Sequence, residues 1–355
     1  MEFEELERGS FVKGELPEGC KHCARGSKMV LLVTGECEGE CWYCPLSEKK
    51  KDKPVVYADE MKVSDQKEIL EEAKAIDASG TGITGGDPLL TEKTLEFIKL
   101  LKEEFGEEHH IHLYTQSTDL ERLIELEEAG LDEIRFHPPI EIWESIEETR
   151  YPSLLHDLRE KTDLSIGIEI PSIPSKEEET VHLIEKLSPL VKFVNINELE
   201  FSSTNTEQLQ DRDYEHKSDV SSAVEGSEEL ALKLLDMDFD VDLHYCSLAF
   251  KDGVQLTNRI KRRAENVARK SDVVTEEGTL IRGIIKTEDG ERLCEEIREE
   301  YDIEDDSVWY DENNEEVVCS LAILEEIYPM IEGECFGVEI YPTSDRLEVE
   351  RWPLE

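Results

Sequence analysis

Short apolar runs alternate along the chain with longer stretches in which apolar residues return every three or four positions. The run 29–33, Met-Val-Leu-Leu-Val, is unbroken, as a strand covered on both faces would be. Ser64 is placed to cap a helix with Glu68 in its first turn, and Ile69, Ala73 and Ile76 give that helix its apolar spacing. Gly80 stops it, and 82–84 reads as the next strand. Further on, the alternation predicts helices at 91–105, 119–129, 143–158, 176–187 and 227–237. Between them it predicts strands at 110–115, 133–136, 164–170, 192–199 and 241–245. Strands that alternate with helices of this length form βαβ units and a parallel sheet. The seven strands predict an α/β fold, a partial or nearly closed (β/α) barrel, with an open doubly wound sheet as its rival.

The pattern changes after residue 250. Residues 254–270 read as a linking helix, followed by strand 280–286, helix 290–301, strands 307–310 and 316–319, helix 321–330, and strands 336–341 and 346–351. That order predicts a small α+β module of the ferredoxin-like, split βαβ kind. The expected organisation is an N-terminal extension with a cysteine pair (1–27), a barrel (28–250), a basic linker helix (251–275) and a small C-terminal domain (276–355). Residues 205–222 are polar and directly follow a strand, so they are expected to form a loop or lid on the face where barrels carry their sites. A surface insertion without a role is the competing reading.

Composition narrows this picture. With 355 residues and 38% hydrophobic content, the chain can bury one large core and a smaller one. Asp and Glu number 87 against 39 Lys and Arg, for a net charge of −48. The acidic residues run through apolar-periodic segments, which argues for a salt-adapted, halophilic-type surface rather than disorder. No apolar run reaches the roughly 18 residues of a membrane helix, and the acidic N-terminus lacks the layout of a signal peptide. A cytoplasmic protein without a membrane partner is expected. In such a compartment nine cysteines serve metals or redox chemistry rather than a disulfide framework, and five of them fall before position 45.

Three of those five form Cys37-Glu-Gly-Glu-Cys41-Trp-Tyr-Cys44, a C-x3-C-x2-C spacing on a short loop after the first strand. Three thiolates can hold three corners of a cubane iron–sulfur cluster and leave the fourth iron open to a small molecule. After the second strand comes Gly85-Gly86-Asp87-Pro88, where paired glycines permit close backbone approach and a carboxylate can receive an ammonium group.

These two motifs, on successive strands, resemble those of the radical S-adenosylmethionine (SAM) superfamily. Cys37, Cys41 and Cys44 match the family's cluster motif. Tyr43 stands at its aromatic position near the adenine, and Gly85, Gly86, Asp87 and Pro88 match its methionine-binding motif, with Asp in place of the commoner Glu. The likeness covers about residues 28–246 and is nearest to proteins related to the activating enzyme of pyruvate formate-lyase. It implies a [4Fe-4S] cluster on Cys37, Cys41 and Cys44, and S-adenosyl-L-methionine held with help from Gly85, Gly86 and Asp87. It also implies reductive cleavage of that cofactor to a 5′-deoxyadenosyl radical, and a low-potential donor such as ferredoxin or flavodoxin. The substrate is left open between a protein glycine, as for an activase, and an RNA nucleoside; a non-catalytic zinc- or iron-sulfur-binding protein is the alternative of another class.

Other residues carry weaker signals. Cys20 and Cys23 form a C-x2-C pair that could hold an auxiliary Fe-S cluster or zinc, although their place before the strand suggests the opposite end of the barrel from Cys246. Polar residues alternate within strands: His110, His112 and Tyr114; Arg135 and His137; Asn195 and Asn197; Asp242, His244 and Cys246. A polar strand face inside a barrel lines a cavity. Asn195 and Asn197 are therefore candidates for cofactor binding, and His112, His137, His244 and Cys246 for catalysis. Residues 251–270 are locally basic, which suits either phosphate or nucleic acid or pairing with the chain's own acids.

Overall fold

Seven parallel strands cross one sheet in the order in which the chain lays them down. They are β1 (Lys28–Leu32), β2 (Gly80–Thr84), β3 (His110–Thr115), β4 (Glu133–Phe136), β5 (Ser165–Ser172), β6 (Phe193–Glu198) and β7 (Asp242–Cys246). The structure is a computed structural model and describes residues 3–287, 289–303, 307–312 and 314–354. It divides into two units, the first Met1–Lys74 with Ala78–Leu256, the second Ala75–Asp77 with Thr257–Glu355.

Apolar residues on one strand face set the outer layer. Ile83, Ile111, Leu113 and Ile134 are fully buried, and Ile166 nearly so. The helices that follow the strands bury stripes at helical spacing. Examples are Phe97, Ile98 and Leu101 on the helix Lys93–Phe105, and Leu230, Leu234 and Leu235 on the helix Ser227–Asp236. Each such side chain contributes about 2 kcal/mol by leaving water.

One cavity of 580 Å³ is lined by a residue from every parallel strand: Val30, Gly82, Tyr114, Arg135, Glu169, Asn195 and His244. A flat sheet cannot surround a cavity in this way, so the sheet curls into a partial barrel. Strict sequential order leaves no switch point, which sets aside the doubly wound rival. The barrel is open, and its edges are covered. Tyr57–Ala58 pairs antiparallel with β1, and Phe11–Lys13 pairs antiparallel with β7.

Residues 11–24 are thus part of the barrel wall and its interior. Behind Phe11–Lys13, the helix α1 (Glu18–Ala24) turns inward. Gly19 donates its N–H to Glu133 Oε2 at 3.4 Å, and a Cβ there would lie 2.5 Å from His112 Nδ1. Only glycine lets α1 approach that closely.

The second unit begins with the helix Thr257–Val267. The predicted linker helix is split: Lys251–Leu256 winds as a π-helix within the first unit. A sheet follows, built from β8 (Leu280–Lys286), β9 (Val308–Asp311), β10 (Glu316–Cys319), β11 (Glu334–Ile340) and β12 (Glu348–Pro353). Its strand order is β9-β10-β8-β11-β12 with every pair antiparallel. Helices Gly290–Tyr301 and Leu321–Ile327 supply the other layer. Cys294, Cys319 and Cys335 lie in the core of this unit with Ile285, Val308 and Val317. Burial pushes the Cys294 thiol up to about 11 and Cys319 to about 12, as befits small apolar residues.

Candidate cluster and cofactor site

Backbone bonds fasten the cysteine loop to the turn after β2. Gly86 N–H donates to Thr34 O and Asp87 N–H to Glu36 O, both at 2.8 Å. A Cβ on Gly85 would lie 2.4 Å from Thr34 O, and one on Gly86 2.1 Å from Glu36 O. The paired glycines therefore serve the approach of the two loops to each other, and both also line the cavity.

That cavity, of 670 Å³, is lined by Cys37, Cys41, Cys44, Tyr43, Gly85 and Gly86. The three thiols face one space and are half-buried. Among the described residues no three His, Cys, Asp or Glu side chains converge as a single metal ion requires. A cubane offers separate iron corners to its thiolates, so an all-thiol set spread around one cavity fits that group.

The Cys41 thiol is prepared for ligation. Burial pulls it up, but hydrogen bonding with His137, Gln116 and Tyr43 outweighs burial and holds it below its ordinary value. Gln116 Nε2 donates to Cys41 Sγ at 3.1 Å. Cys37 is pushed up by burial, opposed by the Gly39 N–H at 3.3 Å from its sulfur. His137 is fixed at both nitrogens. Its Nδ1 lies 2.7 Å from the Glu169 carbonyl, which accepts, and its Nε2 is 2.9 Å from the Tyr43 hydroxyl.

Asp87 is placed otherwise than its motif suggests. Its carboxylate is buried and accepts from Leu89 N, Thr115 Oγ1 and Gln116 N at 2.7–3.0 Å. It ties the ends of β2 and β3 together and lines neither cavity. Gln116 does line both, and sequence reading missed it because a lone glutamine after a strand belongs to no motif.

The 580 Å³ chamber adjoins this cavity, sharing Gly85, Gly86, Gln116, His137, Asn197 and Lys251 among its walls. Glu169 is its hub. It accepts from Arg135 Nη1 at 2.8 Å, Asn195 Nδ2 at 2.9 Å and Asn197 Nδ2 at 2.8 Å. Against the effect of burial, Arg135 and the two amides hold its carboxyl down at about 2. His244 is buried, with Nδ1 3.3 Å from Asn195 Oδ1, and burial with the nearby Arg135 charge lowers it to about 4, so the ring is neutral at pH 7.

Cys20, Cys23 and Cys246 line this chamber together, because α1 folds inward. The expectation that the pair and Cys246 lie at opposite ends of the barrel is overturned. Burial raises Cys20 to about 11 and Cys246 to about 12. Of the catalytic candidates, His137, His244 and Cys246 line the chamber; His112 does not, because α1 covers it.

Residues 205–222 cover the cysteine loop. Asn205 Nδ2 donates to Tyr43 O at 3.0 Å, and Tyr214 stacks on Trp42 with centroids 5.8 Å apart. Arg212 lies over the Trp42 ring at 4.6 Å. The basic stretch is partly consumed within the chain, as Lys251 faces Glu200 at 3.8 Å and Arg262 pairs with Asp77 at 2.8 Å.

Residues 31–144 match the Radical SAM superfamily, and residues 278–354 match a domain of unknown function, DUF8061. The chain is 43% identical, over 372 aligned positions, to a protein of Methanocaldococcus jannaschii with the provisional name glycyl-radical enzyme activating enzyme. The match covers 100% of this chain and 97% of the relative. Among solved structures, that of methylornithine synthase aligns with a TM-score of 0.40 at 15% identity, covering 59% of this chain and 60% of that one. No described helix is long and apolar enough to cross a membrane.

Proposed function

Because the chain belongs to the radical SAM superfamily, in one family with the Methanocaldococcus protein, we propose that it is an activase-like radical enzyme with Cys37, Cys41 and Cys44 as its cluster ligands. The observation that carries this reading is the placing of three thiols around one cavity that the Gly85-Gly86 turn also lines. When bound there, a [4Fe-4S] cluster and S-adenosyl-L-methionine supply a 5′-deoxyadenosyl radical that abstracts a substrate hydrogen.

The chain's own residues do the rest. Gln116 and Gly39 N–H groups direct hydrogen bonds at the cluster thiols, which lowers the charge that the sulfurs carry in an iron–sulfur site. Gly85 and Gly86 expose backbone to the methionine end of the cofactor. Asp87 holds that turn in place through its three hydrogen bonds rather than meeting the ammonium itself. Asn197, which lines both cavities, and Glu169, which accepts its Nδ2 at 2.8 Å, orient the ribose end. The Trp42–Tyr214 stack keeps water from the loop. Substrate enters the inner chamber, where His137, His244 and Cys246 face it. A glycine-bearing partner protein is the substrate class that follows from the relative's name, and a ferredoxin or flavodoxin of the cytoplasm is the electron source. The second unit reads as a ferredoxin-like module, since β8 to β11 with their two helices follow the split βαβ order.

Anaerobic reconstitution with iron and sulfide, followed by dithionite and S-adenosyl-L-methionine, tests the reading. Formation of 5′-deoxyadenosine is expected; zinc without iron in the anaerobically purified protein, or product unchanged in Cys41→Ala, would overturn it.

A second reading is favoured by one observation, that Cys20, Cys23 and Cys246 share the inner chamber. We propose an auxiliary Fe-S cluster or zinc there. In the Cys37→Ala/Cys41→Ala/Cys44→Ala variant, metal that remains and then disappears with Cys20→Ala supports it. A metal-free triple variant sinks it.

A further inference from the structure

In the second unit, four arginines surround a pocket of 180 Å³ next to the Trp309 ring. Arg263 comes from the helix Thr257–Val267, Arg269 from the segment after it, Arg282 from β8 and Arg346 from the turn before β12. In a chain of net charge −48 such a gathering is against the background. Among the described residues no Asp or Glu lines the pocket.

The positive charge is only partly balanced from behind. Arg282 is paired with the buried Asp272 at 2.9 Å, and Arg346 with Asp311 at 2.6 Å. Arg263 donates through Nε to the Pro342 carbonyl at 2.6 Å. Arg269 lies flat on the Trp309 ring, 3.8 Å from the centroid, and has no carboxylate partner among the described residues. Arg269 and Arg346 also press down the affinity of Arg282 for its proton, beyond the effect of burial, so the cations feel one another.

The donor set is equally one-sided. The Trp309 indole N–H has no acceptor among the described residues although it is buried, and Thr343 and Ser344 add hydroxyls to the rim. Fixed planar N–H forks and hydroxyls around a small space suit an anion rich in acceptor oxygens.

We propose that this pocket binds the phosphate group of a nucleotide, free or within RNA, and so makes the second unit a phosphate-recognition module. Trp309 is a platform for Arg269 and gives its N–H to a phosphate oxygen. Arg282 and Arg346 are held by Asp272 and Asp311 in the orientation that a phosphate needs. The volume admits the phosphate and its ester linkage but not a base, so contacts to the base lie outside it.

Equilibrium binding to the full-length chain tests this, with inorganic phosphate, AMP and a short oligouridylate as probes, each at low and high KCl. One saturable site per chain for phosphate and AMP is expected. Arg269→Gln and Trp309→Phe should each weaken it, the arginine change by about tenfold, with an unaltered melting curve. RNA that binds far more tightly than AMP, with a steeper salt dependence, makes nucleic acid the source; equal affinity makes it a free nucleotide. If none of the three probes saturates at millimolar concentration, the proposal is wrong. It is equally wrong if Trp309→Phe, which keeps the ring and removes only the N–H, and folded Arg269→Gln both bind as wild type does.

Discussion

Cys41-x2-Cys44 on the loop after β1 and Cys20-x2-Cys23 on α1 have one spacing, and they line adjoining cavities. Their surroundings set them apart. Cys41 is ringed by hydrogen-bonding partners, from Gln116, His137 and Tyr43, and its thiol is held below the ordinary range. Cys20 receives an Asn195 N–H at 3.3 Å, but burial and the Glu169 and Glu133 carboxylates leave it near 11 in spite of Arg135. Equal spacing therefore does not give equal thiols; the partners pointed at sulfur decide whether thiolate is the resting form before any metal binds.

The largest test of that contrast is substitution. Cys41→Ala should drop cluster iron and 5′-deoxyadenosine to background, whereas Cys20→Ala should retain the cluster's absorption bands. If the two variants lose iron equally, the pairs do not differ in the way described. Alkylation comes next. With a thiol near 11, about one Cys20 in a thousand is thiolate at pH 8, and about one Cys246 in ten thousand. In the apo-protein, iodoacetamide with mass mapping should modify Cys41 first. Labelling of Cys20 should rise about tenfold per pH unit until pH 11. Labelling of Cys20 before Cys41 at pH 8 would reverse the comparison.

Glu169 sharpens it from the inner side. Its carboxyl is lowered in the fold, so it stabilises the protein fully above the ordinary glutamate range near 4.5, and loses that contribution as pH falls toward 2. The shift corresponds to about 3 kcal/mol. Glu169→Gln should cost a similar amount in urea titrations at pH 7, by leaving Arg135 short of a partner, and should flatten the acid limb between pH 4.5 and 2. An acid limb as steep as wild type would show that another group controls it. The smallest effect is expected at the cover. Tyr214→Ala removes a stack worth about 1 kcal/mol and should hasten air bleaching of the cluster by about fivefold. An unchanged bleaching rate would mean that the stack does not shield the loop.

Much of this was legible in the chain itself. The seven strands follow from unbroken or alternating apolar runs, and the inward position of Asn195, Asn197, His244 and Cys246 follows from the two-residue strand period. Local chemistry was harder to read. Asp87 looks like a free carboxylate in its motif, but Thr115 Oγ1 and Gln116 N, which occupy it, come from the next strand. Cys20 and Cys23 lie before β1 in sequence, and no periodicity announces that α1 reverses into the barrel. That reversal depends on a missing side chain at Gly19 meeting His112 and Arg135, contacts more than ninety positions away. The last predicted strand, 346–351, is found at Glu348–Pro353, because Thr343 to Arg346 form a turn first.

The pairing of Phe11–Lys13 with β7 also sets a timetable. Lys13 lies opposite Leu243, so Phe11–Lys13 has only its local pairing with Glu4–Glu5 until the last barrel strand has been made. Such a remote pairing forms late, after the nearer βαβ units have condensed. Through most of synthesis the barrel has an uncovered edge and α1 has no chamber to enter. Cys20 is then open to solvent, with none of the burial that later raises its thiol. Closure of that edge is the moment at which the Cys20 thiol is withdrawn from solvent.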